Sequence, residues 1–205
     1  MNLRNVVTVV VVIAVVLWLV LPTGNEEETP KHYSETLQKE RREKDQYMAD
    51  SEESPLRHDS TFTGLKYFPP DINFKVIADL EPISSKKVVV LPTSDGQQKQ
   101  YREYAYATFR LAGAQHRLLI LEVLDSGPFR GTLFLAFADD TSADETYGAG
   151  RYLDLKKVPG AATITLDFNR AYNPYCAYAD EFSCPLPPKE NILNVAITAG
   201  EKNYH

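Results

Sequence analysis

The spacing of hydrophobic positions changes twice along the chain. Val6 to Leu21 is apolar on every side, with Thr8 as its one mild interruption. From Lys31 to Ala49 the apolar positions thin to Tyr33, Leu37, Tyr47 and Met48 among charged residues, with no glycine or proline. From about Phe62 onward apolar and polar residues take turns, the period of a half-buried strand. These shifts divide the chain into residues 1–24, a membrane segment, residues 25–56, a charged helical spacer, and residues 57–205, an all-β domain.

The first run would rise about 24 Å as a helix, at the short end of what crosses a bilayer core of about 30 Å. Arg4 precedes it and Glu26-Glu27-Glu28 follows, with no Ala-x-Ala exit and no cysteine to lipidate. This reads as an uncleaved transmembrane signal-anchor, N-terminus cytoplasmic and domain extracytoplasmic. Secretion after signal cleavage is the alternative, and it leaves the domain outside all the same.

Thr29-Pro30 predicts a helix start, with a hydroxyl at the N-cap and proline where its missing N–H costs nothing. Tyr33 and Leu37 share a face, but Arg41 and Lys44 break the stripe, so the helix is expected to be a solvated spacer of about 28 Å. Tyr47 and Met48 are expected to dock its end on the domain, and Ser51-Glu52-Glu53-Ser54-Pro55 to end it.

Strands are expected at Ile72–Leu80, Lys87–Leu91, Lys99–Leu111, Arg117–Leu124, Thr132–Ala138, Arg151–Leu155, Ala162–Phe168 and Ile192–Thr198. Asp95-Gly96 marks a tight hairpin. In the long strand, strict alternation puts Tyr101, Glu103, Ala105, Ala107, Phe109 and Leu111 on one side. Arg117–Leu124 is apolar on both faces and reads as a central strand. The fold class is therefore all-β, an antiparallel sandwich or partly closed barrel, preceded by the membrane helix and the spacer helix.

Composition adds little to this picture. Twelve tyrosines against one tryptophan suit a pleated surface. A formal charge of −6 excludes a nucleic-acid footprint, which needs a basic face. Tyr147-Gly148-Ala149-Gly150 lacks the context of a phosphate loop, and no Gly-x-Ser-x-Gly or His-centred triad is present. Asp139 to Glu145 reads as a solvated acidic turn, not a calcium loop. The four histidines lack ligand spacing, so neither a metal nor a cofactor is expected.

Candidate chemistry gathers in Leu166–Asn191. Alternation puts Ile164, Leu166 and Phe168 on the core side of their strand and Asp167 and Asn169 together on the other, beside Arg170 and Tyr172. Tyr172 to Asn191 follows as a long loop with four prolines and both cysteines, expected to pack over the sheet. Outside the cytoplasm, Cys176 and Cys184 read as a disulfide closing a small loop. Cys184-Pro185-Leu186-Pro187-Pro188 should run as polyproline II and present Lys189, Glu190 and Asn191 at a fixed place.

The runs Glu145-Thr146-Tyr147-Gly148-Ala149-Gly150-Arg151-Tyr152-Leu153, Asp167-Phe168-Asn169-Arg170-Ala171-Tyr172-Asn173-Pro174, Cys184-Pro185-Leu186-Pro187-Pro188 and Ala199-Gly200-Glu201-Lys202 resemble DUF1684, a bacterial family of uncharacterised proteins. The resemblance supplies no activity. It implies that Arg151, Asp167, Asn169, Arg170, Tyr172, Asn173, Cys176, Cys184, Glu190, Asn191 and Glu201 belong to one pattern.

Three readings stay open. The domain is a binding or accessory module whose polar site takes Arg151, Asp167, Asn169, Arg170, Tyr172, Asn173, Glu190, Asn191 and Glu201 under the cysteine loop, for a small molecule or protein partner. It is a hydrolase with Asp167 or Glu201 as general base and Arg170 stabilising negative charge. Or the motif is a structural latch without a ligand.

Overall fold

The computed structural model describes residues 29–205. The run Val6–Leu21 lies outside the described residues, and among those described no helix is long and apolar enough to cross a membrane.

Alternating residues give seven strands: β1 (Lys75–Pro82), β2 (Val88–Pro92), β3 (Gln98–Leu111), β4 (Ala114–Val123), β5 (Leu133–Phe137), β6 (Arg151–Leu155) and β7 (Thr163–Asp167). They form one sheet in the order β6-β5-β4-β3-β1-β7, with β2 beside β3. Every pairing is antiparallel, and β1 and β2 share one edge of the long β3. Past β7 the chain returns to β6, where Tyr152 and Tyr172 exchange backbone hydrogen bonds of 2.8 and 3.0 Å. The sheet thus curls into a half-barrel with one helix. That settles the choice between sandwich and partly closed barrel in favour of the latter.

The main core fills the inside of the curve with Ala107, Phe109, Leu118, Ile120, Leu135, Phe137, Leu166 and Phe168. The opposite face of the sheet carries a second cluster of Leu91, Tyr101, Leu119 and Leu121. β4 contributes to both clusters, as its two-sided apolar pattern predicts. At Asp95-Gly96 the second residue takes φ +80°, and at Ala112-Gly113 both residues are positive, at +50° and +78°. The Ala112-Gly113 pair suits the right-handed twist of a two-residue hairpin, whereas Gly96 closes a longer turn in which its amide donates to the Thr93 carbonyl (3.0 Å).

Two expectations about strands fail. The alternation of β3 is broken by a register shift between Glu103 and Ala105. One extra residue moves everything before it to the other face, so Tyr101 packs on the outer cluster while Ala107, Phe109 and Leu111 stay inside. Ile192–Thr198 forms no strand. It keeps only a short backbone contact, the Leu193 amide donating to the Ala138 carbonyl (2.8 Å) and the Asp140 amide to the Val195 carbonyl (3.2 Å). Beyond that side chains take over, the Ile197 amide donating to Asp139 (3.2 Å) and the Ile197 carbonyl accepting from Arg151 (2.9 Å).

Helix α1 (Pro30–Asp50) starts where expected, with the His32 amide donating to the Thr29 hydroxyl (3.3 Å). It ends at Ser51, whose amide caps the Tyr47 carbonyl. It does not stand off the domain as a spacer. Tyr33, Leu37 and Met48 are fully buried against the barrel, each contributing about 2 kcal/mol by area. Tyr47 stays 40% exposed, so of the two residues expected to dock the helix end only Met48 does so by burial. Arg41 and Lys44 fall on the same stripe as Leu37 and Met48 and dock through buried partners.

Candidate functional site

Most of the polar residues singled out in the sequence hold α1 to the barrel. The Tyr33 hydroxyl donates to Asp167 Oδ1 (2.6 Å), which also accepts from the Asn169 amide (3.2 Å). Asp167 Oδ2 pairs with Arg170, whose guanidinium turns its other edge to Glu40 of α1 (2.8 and 2.9 Å). Arg41 donates to the carbonyls of Phe68 (2.9 Å) and Asn169 (3.4 Å) and lies over the Tyr67 ring. The Asn169 amide side chain bridges the backbone of Asp71 through bonds of 2.9 and 2.7 Å. Burial and the neighbouring Asp167 push the Tyr33 hydroxyl up from its ordinary value, so it serves as a donor.

Glu201 makes the second anchor. It is 1% exposed and accepts from Lys44 (2.5 Å), the Tyr178 hydroxyl (2.6 Å) and the Asn173 amide (2.8 Å), with Tyr67 at 3.5 Å. Gly200, at φ +78°, allows this approach: a Cβ there would meet the carbonyl oxygens of Ala171 and Phe168 at 2.6 and 2.7 Å. The Lys44 ammonium also lies 4.7 Å from the centre of the Tyr172 ring, and the Tyr172 hydroxyl donates to Asp154 (2.8 Å).

Arg151 stands behind Glu201, fully buried at the start of β6. Its guanidinium donates to the carbonyls of Ile197 (2.9 Å), Ala199 (2.5 Å) and Glu201 (3.2 Å) and to Asp139 (2.8 Å). Burial pulls its pKa down and Asp139 pulls it back. Asp139 is therefore no member of a solvated turn; it is buried because this arginine needs an anion. Asn191 is also fully buried, but elsewhere: it donates to the carbonyls of Leu119 (2.9 Å) and Ala136 (2.8 Å) and accepts from the Leu119 amide (2.6 Å). It plugs the gap where β4 and β5 splay. Glu190 is exposed and joins none of these groups.

Beside the latch lies an open cleft of about 890 Å³. Leu37, Glu40 and Lys44 of α1 form one wall, and the Phe182-Ser183-Cys184-Pro185 segment forms another. Its floor is a row of rings on the outer face of the sheet. Tyr101 and Phe134 stack at 4.9 Å, Phe134 meets Tyr152 edge-on at 4.9 Å, and Tyr152 meets Tyr172 at 5.9 Å. Among the described residues no group of three or more His, Cys, Asp or Glu is placed to hold a metal ion.

Residues 60–202 match the model of a family described as a protein of unknown function, DUF1684. The chain belongs to this family. A solution NMR structure of an uncharacterised protein of Haloarcula marismortui is 38% identical, with a TM-score of 0.64, covering 84% of this chain and 95% of that one. No curated protein matches the sequence.

In this DUF1684 protein Cys176 and Cys184 are both free and buried, not joined as expected. The Cys176 amide donates to the Cys184 sulfur (3.2 Å). The hydrogen bond from Cys184 lowers the Cys176 thiol to about 6, burial opposing and Tyr147 assisting; Cys184 is raised in turn. The loop does pack over the sheet, with both cysteines against Ala136 and Tyr152. The Cys184–Leu186 stretch runs beside the β2–β3 hairpin, the Leu186 amide donating to the Pro92 carbonyl (2.8 Å).

Sequence reasoning missed Lys44, Arg41, Tyr67, Tyr178 and Asp139 as partners, and Tyr101, Phe134 and Tyr152 as a floor. One signal was available: Tyr33, Leu37, Arg41, Lys44 and Met48 recur at helical spacing, so the two cations lay on the buried stripe.

Proposed function

We propose that this DUF1684 protein is a binding module whose ligand lies in the cleft between α1, the outer face of the sheet and the Phe182–Pro185 segment. The observation that carries this reading is the cleft, about 890 Å³ with a continuous aromatic floor. Sites for small molecules are concave, largely apolar and supplied with a few fixed polar groups. The family-pattern residues act as the frame: Asp167, Arg170 and Glu201 fix the helix that makes one wall. The latch reading therefore suits the motif, and the binding reading suits the space beside it.

The hydrolase alternative has less support. Asp167 and Glu201 each accept several hydrogen bonds from α1 and its surroundings, which leaves neither poised to take a substrate proton. Anchorage by the Val6–Leu21 run, with the module extracytoplasmic, belongs to the same proposal and rests on that run and its charged flanks. Retention of the full chain in membranes after alkaline extraction supports the anchor; release into the supernatant refutes it.

Small molecules extracted from the purified chain and identified by mass spectrometry test the cleft, with Val123→Arg as the comparison because it sets a long side chain into the lining. We expect a compound from wild type that is absent from a folded Val123→Arg variant. Saturation-transfer NMR with a panel of soluble aromatic compounds gives the second reading. Signals of equal strength in both proteins would overturn the proposal.

A further inference from the structure

The sheet side of the cleft presents two polar groups that no charged or hydroxyl side chain among the described residues engages. Tyr101 is 5% exposed and lines the cleft; its hydroxyl makes no hydrogen bond to another described residue and stays open to solvent there. The other tyrosines of the lining are provided for: Tyr152 donates to the Pro185 carbonyl (2.6 Å), Tyr172 to Asp154, Tyr47 and Tyr175 share a bond of 3.2 Å, and Tyr67 reaches Glu201. A hydroxyl open to the cleft hydrogen-bonds water, and a ligand oxygen can take that water's place.

Lys99 is the second. Its ammonium donates to the Ser183 carbonyl (2.9 Å) and pairs with no carboxylate among the described residues. By contrast, Lys44 and Arg170 on the helix side are taken by Glu201, and by Glu40 and Asp167. Lys99 and Tyr101 are two apart on β3, before the register shift, so both face the cleft. Arg130 and Asp125 sit exposed on the rim with opposite charges.

We propose that the cleft takes a small organic carboxylate with a flat apolar body, its oxygens accepting from the Lys99 ammonium and the Tyr101 hydroxyl and its body lying along Phe134 and Tyr152. This rests on the cleft being the binding site. An ammonium that pairs with no carboxylate among the described residues, beside an open hydroxyl, selects an anion over a cation or a neutral amine. The rings supply stacking surface for the body.

Calorimetric titration of the full chain in non-ionic detergent with naphthoate and its neutral analogue naphthamide tests the inference. Empty micelles give the partition background. Wild type is expected to bind both, naphthoate more tightly. Lys99→Met should weaken naphthoate about tenfold and Tyr101→Phe about fivefold, while naphthamide changes by less than about twofold in either. Unchanged naphthoate affinity in both variants, or equal losses for the two compounds, overturns the proposal. Binding of naphthamide without naphthoate sinks the carboxylate and leaves the cleft standing. Binding of neither removes the cleft reading and this inference with it.

Discussion

Arg151→Met puts the buried ion pair to a quantitative test. The guanidinium is fully buried and holds three carbonyls of the C-terminal segment, of Ile197, Ala199 and Glu201, together with the Asp139 carboxylate. Methionine keeps much of the stem and removes all four bonds. Asp139 would retain the Thr141 amide and hydroxyl and the Ile197 amide, but it would lose its only ion-pair partner among the described residues. Stranding one member of a buried pair costs about 3–5 kcal/mol. The freed carbonyls add about 1 kcal/mol once the segment relaxes toward water. The expected loss of about 4–6 kcal/mol is a large part of the roughly 5–15 kcal/mol that a domain has. Urea unfolding followed by the near-ultraviolet dichroism of the tyrosines measures it. Adding Asp139→Leu should restore about 2 kcal/mol, because the stranded charge is gone. A loss below about 1 kcal/mol for Arg151→Met would refute the reasoning. Strictly additive effects of the two substitutions would do the same.

Two further outcomes are expected. Tyr33→Phe removes a charge-assisted bond to Asp167 (2.6 Å) and should lower hydrogen-exchange protection across α1 by about 2 kcal/mol while leaving β4 unchanged; equal losses in both elements would mean that the helix has no separate anchorage. In the reduced protein, the ultraviolet absorbance of the Cys176 thiolate should rise with a midpoint near pH 6, and Cys184→Ala should move that midpoint upward by removing the main stabilising hydrogen bond. Because the folded value lies below the ordinary 9.0, the unfolded chain binds the extra proton between them. The thiolate's stability contribution is therefore present above about pH 9 and is lost as pH falls through about 6. A midpoint at the ordinary thiol value, unmoved in Cys184→Ala, would count against the pairing.

Strands were legible where runs of β-branched, aromatic and other apolar residues are bounded by turn residues. β6 falls where a strand was expected, and β4 was recognisable because it is apolar on both faces. The bulge in β3 was not legible. Glu103, Tyr104 and Ala105 are compatible with either parity, and only the pairing with β4 reveals the extra residue. Ile192–Thr198 carries a strand-like composition, but past Val195 its backbone is claimed by Asp139 and Arg151 at Ile197, a competition that no local pattern encodes. The candidate site was half legible for the same reason. Density of polar residues located Asp167 and Arg170, and the family resemblance pointed to Glu201, while their partners Tyr33, Glu40 and Lys44 lie more than a hundred residues earlier.

The bulge in β3 and the charged stripe of α1 bear on one feature. Without the bulge, Lys99 and Tyr101 would share the face of Ala107 and Phe109 and point into the main core, where an ammonium could not remain charged without a partner. With it, they join Phe134 and Tyr152 outside. The charges on α1 then keep that outer surface open. A stripe of leucines at Glu40, Arg41 and Lys44 would settle onto the aromatic row and close the space, since apolar surfaces that can meet do so at about 25 cal/mol per Å². Instead each of the three is tied to its own partner, Arg170, Phe68 or Glu201. The helix is fixed at its position by hydrogen bonds, and the rings beneath are left for something else to cover.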